Sequence, residues 1–159
     1  MNYILKTSDH ETYHIEYVLP ESDPRRILTM LEALDTDFIP ALSARIDLNA
    51  YARKISTYAV VFYVKLNEKD CGECNIYLNK NSGGYITSFG ILKRYRRTGV
   101  AGLLLDTVIS YCKSQNYPEI GLRVSSSNFI AQKLYLSRGF QPFESDGKWL
   151  EMKLAFCPF

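Results

Sequence analysis

The chain has 159 residues, of which 47% are hydrophobic, and its formal net charge at pH 7 is +2. This length and apolar content predict one domain, residues 1–159, with a sizeable core, and they exclude an intrinsically disordered protein. The small charge argues against wholesale binding to nucleic acid. Because the sequence has no N-terminal signal region and no apolar run of about 18 residues, we expect a cytoplasmic protein without a membrane partner.

The first part of the sequence predicts two strands followed by two helices. The segments NYILK and YHIEYVL have the composition of short strands. Pro24 suits the first position of a helix through RRILTMLEAL, with Asp23 as its N-cap, and Pro40 makes a continuous helix beyond it unfavourable. A second helix is predicted over LNAYARKIS, with Asp47 as its N-cap.

A three-stranded meander, two helices and a hairpin are predicted for the rest of the chain. YAVVFYVKL, ECNIYLN and YITSFGILK are the antiparallel strands, joined by turns at NEKD and KNSGG. Apolar spacing predicts a helix from about Val100 to Ser114, then the strand EIGLRVS. Asn128 or a serine before it caps the last helix, and Gly139 ends it. FQPFES and KWLEMKLAF form a closing hairpin around a DG turn.

Four cysteines raise the question of a metal or redox site. Cys71 and Cys74 stand together as CGEC, and the remaining thiols and imidazoles belong to Cys112, Cys157, His10 and His14. A zinc site needs two further ligands at suitable spacing. A redox pair of this spacing opens a helix, whereas CGECNIYLNK is typical of a turn that enters a strand. We therefore expect reduced, partly buried thiols and no metal site.

The stretch RYRRTGVAGLLLDTVI, residues 94–109, carries the strongest functional signal. Its arginines at positions 94, 96 and 97 stand directly before a predicted helix, where cations oppose the positive end of the helix dipole. An anion with several charges, bound between these arginines and the free N–H groups of the first turn, would explain the arrangement. Gly99 and Ala101 keep the backbone open to such an anion. The spacing fits neither a Walker A motif nor a dinucleotide fingerprint, and a solvated or nucleic-acid-binding cluster is the alternative.

The segment RRTGVA, residues 96–101, resembles the R/Q-x-x-G-x-G/A loop of the GNAT superfamily of acetyl-CoA-dependent N-acetyltransferases. The resemblance extends from about residue 85 to residue 155 and includes YITSFGILKRYRRTGVAGLLLDTVISYC and GLRVSSSNFIAQKLYLSRGF. It implies an α+β fold with a central, mostly antiparallel, twisted sheet of about six or seven strands. Helices would flank this sheet, its strands would splay apart at the cofactor site, and acetyl-CoA would be the co-substrate.

The resemblance also implies site residues. The CoA pyrophosphate would lie in a cradle formed by Arg96, Arg97, Thr98, Gly99, Val100 and Ala101. The backbones of Phe89 and Ile91 would pair with the pantetheine arm. Asn128 would contact this arm, although it also suits a helix cap. Tyr135 matches the tyrosine near the thioester sulfur and would be the general acid, with a core aromatic as the alternative.

The chemistry implied is direct attack of an amine on the acetyl carbonyl, without a covalent enzyme intermediate. A backbone N–H near Ile91 or Leu92 would polarise that carbonyl. YITSFGI contains no Asp or Glu where some family members carry a general base. Glu73, Glu144 and Asp146 are therefore open candidates, besides a water chain or a backbone carbonyl.

The acceptor is expected to be a primary amine of a small molecule or of a peptide. The segment FIPALSARIDLNAYARKI has some likeness to family members associated with surface-polysaccharide synthesis, which points to a nucleotide-linked amino sugar. A homodimer is left open. The rival hypothesis is a non-catalytic module that binds CoA or RNA, and turnover of acetyl-CoA distinguishes the two.

Overall fold

One sheet of eight strands spans the computed structural model, which describes residues 2–6 by their backbone alone and residues 11–38 and 40–156 in full. The strands are β1 (Asn2–Lys6), β2 (Thr12–Val18), β3 (Ala59–Leu66), β4 (Lys69–Asn79), β5 (Gly83–Ile91), β6 (Glu119–Ser125), β7 (Gln141–Ser145) and β8 (Trp149–Ala155). Their spatial order is β1-β2-β3-β4-β5-β6-β8-β7, and β5 with β6 is the one parallel pair in this described sheet. The predicted fold class is confirmed, with one strand more than expected.

Four α-helices flank the sheet in the described ranges: α1 (Pro24–Leu34), α2 (Leu48–Tyr58), α3 (Val100–Ser114) and α4 (Phe129–Ser137). The predicted caps are confirmed, because Asp23, Asp47 and Asn128 each accept a backbone N–H at the start of α1, α2 and α4. Gly139 has a left-handed φ of 95° just beyond α4. None of these helices combines the length and apolar character needed to cross a membrane.

Each face of the sheet packs against its own pair of helices. Strand β3 shows the division, because Phe62 belongs to the core that includes Leu104 of α3, while Val61 belongs to the core that includes Ile27 of α1 and Ile55 of α2. Successive side chains of a strand point to opposite faces. We call these the α3/α4 face and the α1/α2 face.

The two central strands diverge from one another. Residues of β5 and β6 are paired at Gly84↔Ile120, Tyr85↔Gly121 and Ile86↔Leu122, after which the strands run on to Ile91 and Ser125. The register of β4 with β5 also shifts here, between Asn75 and Ile76, so that Thr87 is an additional residue in β5. This unpaired stretch is the splay that the resemblance implies.

The whole CGEC segment lies within β4, whereas the sequence predicts that this strand begins only at Glu73. The turn precedes it at Asn67 and Glu68, whose φ angles of 50° and 66° are left-handed, so that β4 begins at Lys69. A Cβ added at Gly72 would lie 2.5 Å from the Gly90 carbonyl oxygen, which explains the glycine between the cysteines by close packing.

Three cysteines in the described residues are free and buried: Cys71, Cys74 and Cys112. Burial raises the pKa of all three thiols, which keeps them protonated. No cluster of three His, Cys, Asp or Glu suited to a metal ion occurs among the residues with described side chains. Cys157 and His10, considered with them above, lie outside the described residues.

Candidate active site

The loop between β5 and α3 leaves the start of a helix open. Gly99 is the residue before α3, with a left-handed φ of 88°, and no side chain caps this helix. The space around an added Cβ of Gly99 is empty to 4 Å. The hydroxyl of Thr98 donates to the Tyr95 carbonyl, and the Val100 N–H lies 3.4 Å from it. Since the first N–H groups of a helix lack intrahelical partners, an anion can approach them here.

The arginines of the loop differ in their surroundings. The Arg96 Nε donates to the Ile91 carbonyl at 2.9 Å, and its terminal nitrogen pairs with the Asp37 carboxylate at 2.8 Å. These contacts tie the loop to the connection between α1 and α2. Arg97 is exposed and has a left-handed φ of 64°, and the Arg94 guanidinium lies 5.0 Å from the centre of the Tyr95 ring.

The backbone of β5 faces the gap at the positions that the resemblance implies. The Leu92 N–H donates to the Cys71 carbonyl of β4 at 2.7 Å. Because backbone groups of successive residues alternate in direction, those of Ile91 and Phe89 are turned away from β4, toward the splay. Leu92 has thus already used its N–H, so of the two proposed donors to an acetyl carbonyl only Ile91 remains.

A cavity of about 520 Å³ runs through the splay. Its wall on the α3/α4 face contains Phe89, Asn128, Ala131 and Tyr135. Its wall on the α1/α2 face includes Arg45, Tyr51, Lys54, Tyr85, Arg123 and Trp149. The cavity therefore joins the two faces of the sheet at the point where β5 and β6 separate.

Tyr135 is both a core residue and a wall of this cavity. Its ring packs edge-on against Phe89 and Phe140, with centroids 6.1 and 5.7 Å away. The side chain is buried, and burial raises the pKa of its hydroxyl above the usual value of 10. The hydroxyl therefore stays protonated at neutral pH and is able to donate a proton. Its burial fits a core aromatic, and its role as the general acid stays a prediction.

Asn128 caps α4, and its position is compatible with the predicted contact to the cofactor. Its Oδ1 accepts the Ala131 N–H at 3.1 Å, which caps α4. The same residue lines the cavity beside Ala131 and Tyr135. An asparagine amide has donors and acceptors to spare after one cap bond, so capping leaves it free for a further contact.

The three candidate carboxyls have very different environments. Glu73 is 1% exposed on β4, and burial raises its pKa to about 8. The Asn75 amide donates to Glu73 Oε1 at 3.0 Å and to the Ser88 hydroxyl, which lines the cavity, at 2.5 Å. Asp146 is exposed, and the N–H groups of Trp149 and Lys148 lower its pKa. Glu144 is also exposed.

Sequence reasoning missed the wall on the α1/α2 face. Arg45 lies in the connection between α1 and α2, Arg123 on β6 and Trp149 on β8. No spacing in the sequence relates three residues on separate elements, so their meeting is visible only in three dimensions.

Comparison with known proteins identifies a family and a fold. The family model "Acetyltransferase (GNAT) family" matches residues 27–140. The crystal structure of the GNAT domain of S. lividans PAT aligns with a TM-score of 0.76 and 13% identity, covering 98% of this chain and 97% of that one. At such identity the likeness concerns the fold alone.

Two further solved structures show the same fold. The PaiA N-acetyltransferase from Thermoplasma acidophilum, in complex with coenzyme A, aligns at TM-score 0.69 and 13% identity over 89% of this chain and 99% of that chain. The ribosomal-protein-S18-alanine N-acetyltransferase from Escherichia coli aligns with a TM-score of 0.67 and 19% identity, covering 89% of this chain and 93% of that chain. No curated protein sequence matches this chain.

Proposed function

The chain belongs to the GNAT family of acetyltransferases, and on this premise we propose that it transfers the acetyl group of acetyl-CoA to a primary amine of a small molecule or peptide. The cavity through the splay carries the proposal, because acetyl-CoA and an amine can approach it from opposite faces of the sheet. Holding two reactants in one place makes the reaction effectively unimolecular. The acceptor side chains described below favour a small molecule, with a nucleotide-linked amino sugar as one candidate.

The loop residues fit the phosphates of acetyl-CoA, whose thioester supplies the acetyl group. The open start of α3 at Gly99, Val100 and Ala101 offers N–H groups, and Arg97 and Thr98 stand beside it. Arg96 remains a proposed contact through the N–H groups that its bonds to Ile91 and Asp37 leave unused.

Along the gap, the backbones of Phe89 and Ile91 would hold the extended arm of acetyl-CoA as a neighbouring strand would. Asn128 would contact the same arm from the start of α4. The N–H of Ile91 would polarise the acetyl carbonyl, since that of Leu92 already bonds to Cys71.

The proton of the attacking amine requires an acceptor. An alkylamine with a pKa near 10.4 is about 3.4 units from neutrality at pH 7, which costs roughly 4.6 kcal/mol. Burial raises the pKa of Glu73 to about 8, toward that of an amine. We propose the ionised form of Glu73 as the final proton acceptor, with water beside Ser88 carrying the proton from the amine to it. The Asn75 amide donates to both Glu73 and Ser88, so it orients these groups and does not itself relay the proton.

We assign the protonation of the leaving CoA sulfur to Tyr135, and the Tyr135→Phe variant tests this role. The variant keeps the ring and its packing and loses only the hydroxyl. General acid catalysis contributes about 10² to 10⁴ in rate, and because a thiolate leaves readily we expect a loss in kcat of roughly a hundredfold. Affinity for acetyl-CoA should barely change, since the hydroxyl acts as charge develops on sulfur.

Tyr13→Phe is the matched control, because Tyr13 is also buried, on β2 in the core of the α3/α4 face, and does not line the cavity. It should change stability and leave kcat intact. If Tyr135→Phe behaved in the same way, Tyr135 would have no part in the mechanism beyond packing.

The overall proposal is tested by a screen of amine acceptors with release of the CoA thiol as the measurement. Turnover of at least one amine supports an enzyme. Binding of CoA without turnover of any amine would instead favour the non-catalytic module. The cytoplasmic location expected from the sequence stays a prediction.

A further inference from the structure

The wall of the cavity on the α1/α2 face carries more positive than negative charge. Arg45, Lys54 and Arg123 line it, with Asp47 as the one carboxylate among the described lining residues. The side chain of Asp47 is engaged by the Ala50 N–H as the cap of α2. The ion pairs among the described residues do not include Arg45, Lys54 or Arg123.

Two of these cations are arranged around one aromatic ring. The guanidinium carbon of Arg123 lies 4.3 Å from the centre of the Trp149 ring, and that of Arg45 lies 4.9 Å from it. Stacking on an aromatic ring orients a guanidinium group and leaves its N–H groups able to donate to a ligand. The pair therefore presents several charged donors to whatever enters the cavity.

These cations lie on the side of the sheet away from the proposed phosphate cradle. Arg123 stands between Leu122 and Val124, which both pack into the core of the α3/α4 face, so its side chain points to the opposite face. The start of α3 belongs to the α3/α4 face through Val100. The phosphates of acetyl-CoA thus have their own site, and Arg45, Lys54 and Arg123 are left for the acceptor.

Of the three cations in this wall, Arg123 is the one that nearby carboxylates approach in the described residues. Glu144, Asp146 and Glu151 line a smaller cavity of about 110 Å³, which shares only Arg123 and Trp149 with the larger one. Asp146 uses its carboxylate for the N–H groups of Lys148 and Trp149. Glu151 stands opposite Arg123 in the pairing of β6 with β8, so these carboxylates offset part of the charge of Arg123, whereas Arg45 and Lys54 do not line the smaller cavity.

We propose that the acceptor is a small amine that also carries an anionic group, a carboxylate or a phosphate, which Arg45, Lys54 and Arg123 bind. The inference rests on the proposed acetyl transfer and adds the class of substrate. Bidentate recognition of planar or tetrahedral oxyanions is what guanidinium groups provide. Polyamines and other polycations are poor acceptors, since the wall would repel them.

The test compares acceptors that differ in one charged group. The pairs are phosphoethanolamine with ethanolamine, glucosamine 6-phosphate with glucosamine, and β-alanine with β-alaninamide, with spermidine as the polycation. The anionic member of at least one pair should have a kcat/KM about tenfold or more above that of its partner, as expected for a hydrogen-bonded charge. Its KM should rise with salt. The phosphate and carboxylate pairs distinguish the two anions.

Variants of the wall locate the effect. Arg123→Gln and Arg45→Gln should each raise KM for the preferred anionic acceptor about tenfold or more, with kcat and the neutral partner's kinetics little changed. Lys148→Gln is the control, because it removes the same charge from a residue that is exposed next to Trp149 and does not line the cavity. It should leave KM unchanged.

The possible outcomes distinguish this inference from the proposed acetyl transfer on which it rests. Equal or better turnover of the neutral members or of spermidine, or an unchanged KM in both arginine variants, would overturn the anionic class while acetyl transfer stands. If none of the amines is acetylated although CoA binds, the proposed acetyl transfer to amines fails, and this inference fails with it.

Discussion

A Gly99→Glu variant is expected to lose the rise in melting temperature that acetyl-CoA or CoA gives the unmodified protein. Ligand at about 100 times its Kd stabilises a folded protein by about 2.7 kcal/mol, which corresponds to roughly 5–10 °C for a chain of this size. The glutamate would place a side chain in the space that is empty around Gly99 and a negative charge beside the N–H groups of α3. Differential scanning fluorimetry with and without millimolar CoA measures the effect.

Gly147→Glu is the matched control for this substitution. Gly147 has the same φ of 88° as Gly99 and equally empty space around an added Cβ, but it lies in the hairpin between β7 and β8. Both variants therefore suffer a comparable backbone penalty. Only Gly99→Glu should lose the CoA response; if both kept it, the loop would not be the phosphate site, and if the unmodified protein showed none, the cofactor proposal would fail.

A Glu73→Gln variant is expected to become progressively more stable than the unmodified protein as pH rises. Burial raises the pKa of Glu73 from 4.5 to about 8 in the folded state. The contribution of the neutral carboxyl is fully present below pH 4.5, and it is lost as pH rises through that value toward 8, because the unfolded chain releases its proton first. Between these limits the loss amounts to roughly 5 kcal/mol.

Glutamine does not titrate, so the difference in unfolding free energy between the two proteins isolates this one carboxyl. Denaturant unfolding from about pH 5 to pH 9 should show the difference growing with pH and levelling off near pH 8. Glu144→Gln, the same change at an exposed carboxyl, should show no such trend. A constant difference for Glu73→Gln would mean that the buried carboxyl ionises as freely as one in water. The kcat of this variant also tests Glu73 as the proton acceptor.

The parts of the fold that depend on local signals could be predicted from the sequence. Asp23, Asp47 and Asn128 are caps because a short polar side chain before an apolar periodic segment has few other uses. The splay and the mixed sheet came from the resemblance over residues 85–155 and not from propensity. The single domain, and the roles of the individual site residues, stay predictions.

What the sequence could not predict depends on contacts between distant segments. The sequence predicts that CGEC enters a strand from a turn, but its glycine lies within β4, where that strand passes close to Gly90 of β5. The high pKa of Glu73 likewise arises because α1 and α2 cover β4, which no local pattern reveals. The cationic wall was missed for the same reason, since Arg45, Arg123 and Trp149 lie on three separate elements.

The short pairing between β5 and β6 also determines how strongly the two halves of the sheet stabilise each other. Three residue pairs form the hydrogen-bonded seam between one half-sheet of β1–β5 and another of β6–β8. Opening this seam exposes fewer backbone bonds than separating β3 from β4, which pair along eight positions. A ligand that lies in the gap as an extended chain would bridge the seam and couple the half-sheets. Acetyl-CoA would then serve as a removable structural strand, and its binding should slow amide hydrogen exchange across β6–β8 as well as at the residues it contacts.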